Sequence, residues 1–137
     1  MMTDGFRIVE KWIDILNRKA VHEVGEVFHD TGRVHYPGLA DAQGPTEIGN
    51  LLQPFFTAFP DLHSSIEDIF SSTDGRVVGR FLTSGTHSAP FMGMEATGKT
   101  ISIEGIAVFQ LKDGKVVEEW NLDDIHTLAR QIGLLPG

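Results

Sequence analysis

The segment from Lys112 to Gly133, KDGKVVEEWNLDDIHTLARQIG, runs a tight turn, a strand and a short helix together, and that order decides the fold. Asp113-Gly114 supplies the turn, since glycine accepts a positive φ and aspartate tolerates a left-handed backbone. Val116, Val117 and Trp120 predict a strand, and Ile125, Leu128, Ala129 and Ile132 repeat at helical spacing. Asp124 falls at the strand-to-helix junction. An acid there commonly caps the helix by accepting its free N–H groups, a role open to Asp123 or Asp124. Caps are far commoner than catalytic carboxylates, though an acid or base at this position can also face a pocket.

Counting back from the turn gives two registers. If Asp113-Gly114 is a two-residue turn, Lys112 opposes Lys115, Phe109 opposes Glu118, Ala107 opposes Trp120 and Ile103 opposes Asp124. Asp124 then shares the inward face with Trp120, beside Ile101 and Ile103, where apolar surroundings raise a carboxyl pKa. If Lys112-Asp113-Gly114 is a three-residue loop with a bulge at Gly114, Asp124 faces Ser102 instead. Both remain open at the level of sequence.

Upstream, turn signals at Thr73-Asp74-Gly75 and in the Pro90 to Gly98 loop divide the chain into strands over about 62–72, 76–88, 99–111 and 115–123, an antiparallel meander. Ile101, Ile103, Ala107, Phe109 and Leu111 alternate with Ser102, Glu104 and Gln110, so the odd-numbered face points inward. Ile106, Val108 and Val117 remain for the outer face, more apolar surface than a monomer comfortably exposes, which predicts a homodimer or higher symmetric oligomer.

Helices precede the sheet. Phe6, Val9, Trp12, Ile13 and Leu16 share one helical face, with Thr3 or Asp4 as cap, and Val21, Val24 and Phe28 suggest a second, short helix. A short strand, Arg33 to Tyr36, closes at Pro37-Gly38. Ile48, Leu51, Leu52, Phe55, Phe56 and Phe59 form the apolar stripe of a third helix that starts near Pro45 and stops at Pro60. Helices gathered on one face of such a sheet make an α+β layer.

Composition narrows the function. A chain of 137 residues, 41% hydrophobic, suits one domain spanning 1–137 with a real core. A net charge of −8 with 11 scattered Lys and Arg argues against nucleic acid or an anionic membrane as partner. The chain has no cysteine, so thiolate catalysis is excluded and a reducing cytoplasm is the expected compartment. No apolar run approaches the length of a membrane span or signal sequence.

Six separated motifs carry a resemblance over nearly the whole chain: AFPDLH (58–63), GTHSAPFMG (85–93), ATGK (96–99), DGKVVEEW (113–120), Asp124, and QIG (131–133). In order and spacing they resemble the SnoaL-like polyketide cyclases, within the wider group of small cone-shaped α+β proteins that includes ketosteroid isomerase and scytalone dehydratase. The resemblance implies a curved antiparallel sheet wrapped around the N-terminal helices, a cone-shaped α+β barrel with a central pocket. It also implies a cofactor-independent acid/base reaction, an intramolecular aldol closure, on a small apolar or aromatic carbonyl substrate. The last-strand aspartate that serves as acid/base in characterised cyclases matches Asp124. Phe55, Phe59, Ile103 and Trp120 are then candidate substrate-binding walls. An epoxide hydrolase, isomerase or dehydratase on the same scaffold would draw on Ser102, Glu104, Asn121 and His87, and a non-catalytic binding module is the third alternative.

Six histidines invite a search for metal ligands, but no pair has the spacing of a zinc-binding helix, and no metal or cofactor is expected. His22, His29 and His63 read as solvated. The family often places a histidine like His35 at the cavity mouth, making His35 a second catalytic candidate; His87, in the GTH motif, is a substrate-binding candidate, and either is as well read as a structural hydrogen-bonding group. His126 belongs on the outside of the last helix. Characterised cyclases carry an assisting histidine on the penultimate strand, whereas residues 99–111 contain none. GMEATGKT (93–100) matches the phosphate-loop string, yet a strand follows where a helix must, so the match is accidental.

Overall fold

The computed structural model describes residues 2–37 and 40–136, with side chains from residue 5 onward. Helix α1 (Met2–Arg18) buries Val9, Trp12 and Ile15. Thr3 and Asp4, the expected caps, fall within it, and their side chains lie outside the described residues. The short helix expected to reach Phe28 is a 3₁₀ helix, Val21–Glu26. Val21, Val24 and Gly25 are poor helix formers, and Phe28 instead opens strand β1 (Phe28–Tyr36). Gly38, half of the expected closing turn, lies outside the described residues. Strand β2 (Ala40–Gln43) was not anticipated, being too short for a periodic signal.

Helix α2 (Pro45–Ala58) starts on proline, whose missing N–H costs nothing in a first turn, and ends before Pro60. Strands β3 (His63–Ser71), β4 (Arg76–Thr86), β5 (Thr100–Lys112) and β6 (Lys115–Asp123) and helix α3 (Ile125–Gln131) follow close to the expected bounds.

The six strands form one sheet in the order β2-β1-β6-β5-β4-β3. The expected antiparallel meander is present from β3 to β6, but β1 lies parallel to β6. The sheet is curved and stays open rather than closing into a barrel, with β2 and β3 as its edges. Helix α1 packs on β3 and β4, and α2 on β1 and β2, so the helices fill the concavity. Asn17 of α1 ties this layer to the edge strand: its amide donates to the Ser64 carbonyl at 2.9 Å and its Oδ1 accepts from the Ser64 N–H at 2.7 Å. That pairing satisfies backbone groups an edge strand otherwise leaves open.

The last hairpin holds the detail on which the site depends. Lys112 opposes Lys115 and Leu111 opposes Val116, as a two-residue turn requires. The register then slips, so that Gln110 opposes Glu118, Phe109 opposes Glu119, Val108 opposes Trp120 and Gly105 opposes Asp123. Val117 is the extra residue of a β-bulge. One added residue reverses the facing of all that follows. Trp120, expected inside, lies on the outer face and is 43% exposed, whereas Glu119 is fully buried.

Candidate active site

A cavity opens between the helices and the concave face of the sheet. Trp12, Leu52, Phe55, Phe59, Phe81 and Ile103 supply its apolar walls. Alternate residues of β6, Glu119, Asn121 and Asp123, form one polar wall, with Tyr36 beside them on β1, while Asn17, Ser64 and Thr83 add polar groups from α1, β3 and β4. Successive inward residues on a strand stand about 7 Å apart, so the three form a ladder along the wall. The ladder is graded in depth: Glu119 is 0% exposed, while Asn121 and Asp123 are part-exposed towards the mouth.

Strand β5 makes room for this row. Opposite Glu119, Asn121 and Asp123 stand Phe109, Ala107 and Gly105, so the facing side chains shrink towards the mouth. A Cβ at residue 105 would collide with Asp123 Oδ1, and only glycine leaves the carboxylate its place.

The amide of Asn121 uses both N–H bonds on its neighbours, donating to Glu119 Oε2 at 3.1 Å and to the Tyr36 hydroxyl oxygen at 3.2 Å. Glu119 Oε1 and Asn121 Oδ1 are buried without a protein partner. Burial pushes the Glu119 carboxyl up to about 8; the Asn121 bond opposes that rise and the nearby Asp123 charge adds to it. Burial raises Asp123 to about 6. Tyr36 is raised too, first by burial and then by the Glu119 and Asp123 charges. The two acids therefore titrate in order. Near neutral pH Asp123 is mostly a carboxylate and Glu119 mostly a carboxylic acid, so one cavity holds a base and a hydrogen-bond-donating acid together.

Of the residues put forward for the site, Phe55, Phe59 and Ile103 line the cavity; Trp120, Asp124, His35 and His87 do not. Asp124 is exposed and caps α3: its carboxylate accepts from the Thr127 N–H at 3.0 Å and the Thr127 hydroxyl at 2.6 Å. Those bonds hold its pKa below the ordinary value, the reverse of what a pocket acid needs. His35 sits on the outer face, where Nε2 meets Glu118 Oε2 at 2.6 Å, Nδ1 lies 3.3 Å from Asp41, and the ring stacks on Trp120. The Glu118 bond raises its pKa. His87 is fully buried behind Phe59, with Nδ1 accepting from the Thr97 N–H and lying 2.9 Å from the Thr97 hydroxyl. Ser102 and Glu104 are exposed on the outer face, leaving Asn121 alone of the hydrolase candidates in the cavity. Among the described residues, no three His, Asp or Glu side chains gather in a metal-binding group.

The sequence reading missed Glu119, Asp123, Tyr36 and Gly105. The available signal was Gly105 in mid-strand, between Ile103 and Ala107 on the inward face, since such a glycine marks a close approach.

The SnoaL-like polyketide cyclase model matches residues 6–132. The chain belongs to the SnoaL-like polyketide cyclase family. The solved structure of AclR, a putative hydroxylase from Streptomyces galilaeus, superposes on this SnoaL-like chain with a TM-score of 0.88 at 24% identity, covering 99% of this chain and 100% of that one. A putative SnoaL-like polyketide cyclase from Jannaschia sp. CCS1 also gives 0.88, at 20% identity over 99% and 96% of the chains. Wild-type IdmH, a putative polyketide cyclase from Streptomyces antibioticus, gives 0.84 at 25% identity over 94% and 98%. No curated protein matches the sequence. Among the described residues of this family member, no helix is long and apolar enough to cross a membrane.

Proposed function

We propose that this SnoaL-like protein is a cofactor-independent acid/base catalyst acting on a small, mostly apolar carbonyl compound, and that Asp123 is the residue that moves the proton. The observation carrying this reading is a single one: Asp123 stands in an apolar cavity, with its pKa raised to about 6 by burial. Asp124 and His35, which the resemblance put forward, take no part, because one is occupied as a helix cap and the other lies on the opposite face of the sheet.

In an intramolecular aldol closure the Asp123 carboxylate takes a proton from a carbon flanked by carbonyls, and the C–H electron pair passes into an enolate. The enolate carbon attacks a ketone of the same molecule, forming the C–C bond and converting the C=O bond to an alkoxide. The alkoxide recovers the proton from Asp123, which returns to its starting form. No atom is lost and no redox partner is needed. The aromatic walls, Phe55 and Phe59 among them, fold the substrate so that its reacting carbons meet.

Proton abstraction is testable before the natural substrate is known. The protein in D₂O should exchange the α-hydrogens of 2-tetralone, followed by proton NMR, and Asp123→Asn should slow that exchange roughly 10²-fold or more. Equal exchange by the variant sinks the assignment.

We further propose a cytoplasmic homo-oligomer joined through the outer sheet face. His35, Trp120, Val108, Val78 and Phe70 form one row across five strands, and Leu122 and Ile106 flank it. Phe70, Ile106, Trp120 and Leu122 are exposed. Arg80 paired with Glu104 puts both signs of charge at the rim, which suits a second copy of the same face.

A further inference from the structure

Glu119 has no task in the scheme above, yet it is the most deeply placed polar side chain of the cavity. One carboxyl oxygen, Oε2, is fixed by the Asn121 amide at 3.1 Å, which orients the group. The other, Oε1, is buried without a protein partner in a side chain that lines the cavity. Leaving a buried oxygen unsatisfied is destabilising, so its retention calls for a partner that arrives with the ligand. Around it, α1, α2, β4 and β5 present only uncharged side chains to the cavity; the titratable groups are Tyr36 from β1 and Asp123 from β6.

We propose that Glu119 is the specificity-determining acid of the site: its uncharged carboxyl donates a hydrogen bond from Oε1 to an uncharged carbonyl oxygen at the buried end of the substrate. The site thereby accepts a neutral ketone and rejects a carboxylate of the same shape. A carboxylate would enter an apolar chamber that already holds the Asp123 charge, with no cation to pair it. A ketone oxygen has no proton, so it can only accept, and a protonated Glu119 is the complementary donor. The burial that keeps the proton on this carboxyl up to about 8 supports the same assignment. This rests on the acid/base reading only in taking a carbonyl compound as occupant. Glu119 keeps its proton throughout, and no bond is made or broken at it.

The probes are acetophenone labelled with ¹³C at the carbonyl and its charged isostere, benzoate. Acetophenone is expected to bind at least about tenfold tighter than benzoate near neutral pH, because only benzoate brings an unpaired charge into the chamber beside Asp123. Its carbonyl resonance should move downfield on binding to the native protein and to Asp123→Asn, but not to Glu119→Leu. Ketone affinity should fall as pH rises through about 8 in the native protein and stay level in Glu119→Gln, whose amide donates at every pH. The Gln variant keeps size and shape, so it serves if the Leu variant does not fold. An equal carbonyl shift in Glu119→Leu, level affinity across that pH range in the native protein, tighter binding of benzoate, or no binding of acetophenone overturns the proposal. Loss of 2-tetralone exchange with these results intact removes the proton-transfer reading and leaves this one standing.

Discussion

The Asp123 carboxylate occupies the space that a methyl group on Gly105 would fill, and the two residues stand directly opposite each other on β6 and β5. Gly105→Ala should therefore push the acid aside at a cost of about 1–3 kcal/mol in stability. Displacement of this order should lower 2-tetralone exchange by roughly 10²-fold, measured beside a thermal melt. Full exchange by a folded Gly105→Ala would show that the position of the carboxylate is immaterial.

Two adjacent aspartates should separate cleanly. Asp123→Asn is expected to abolish most exchange while leaving the melting temperature unchanged or higher, since an ionised buried group is replaced by a neutral one. Asp124→Ala is expected to keep exchange and lose about 1 kcal/mol, the worth of a helix cap. Urea titration together with the exchange assay reads both, and a reversed pattern returns the chemistry to Asp124.

Stability should decline with rising pH across an unusual window. Unfolded Glu119 loses its proton in the ordinary carboxylate range, whereas folded Glu119 holds it to about 8. Between those limits the folded state binds more protons, so unfolding free energy falls as pH rises, by up to about 1.4 kcal/mol per pH unit for one proton. Asp123 adds a shorter stretch that ends near about 6. Asp61, Asp74 and Asp124, whose pKa values are lowered, act in the opposite sense and only in more acid solution. Glu119→Gln should flatten the upper part of the slope in urea midpoints; an unchanged slope would place the proton elsewhere.

The outer face carries an optical reporter. The His35 ring lies 5.9 Å from the Trp120 ring, and a protonated imidazole quenches indole emission. Because Glu118 raises the His35 pKa, emission should recover with a midpoint above the ordinary histidine value. His35→Gln should remove this transition, and Trp120→Phe should remove it too, leaving Trp12 of the cavity wall as the remaining indole. A transition surviving in His35→Gln would trace to another group.

Sedimentation should give a mass above 15.1 kDa at micromolar concentration. Leu122→Glu combined with Ile106→Glu should return the protein to that value by placing like charges beside the apolar row. A native protein that runs only as a monomer would remove the assembly from the functional reading.

The layers of this fold were legible because they rest on periodicity. Val9, Trp12 and Leu16 mark one helix face, and the odd residues of β5 mark the inside of the sheet. The site was less legible because it inverts the rule that apolar side chains face inward. On β6 the polar residues Glu119, Asn121 and Asp123 line the cavity while Trp120 and Leu122 meet solvent. A pattern reading follows hydrophobicity and turns such a strand the wrong way. The parallel pairing of β1 with β6 joins residues far apart in the chain, and no local signal announces it.

Val117 gives β6 a reading frame. The strand after it spells two surfaces in alternate letters, one of acids and an amide, the other of tryptophan and leucine, and the bulge selects which is turned towards the cavity. Deleting that one residue would be a frameshift in space: every side chain would survive with its identity intact, yet the chamber would be lined with the face now outside, and its acids would stand in water.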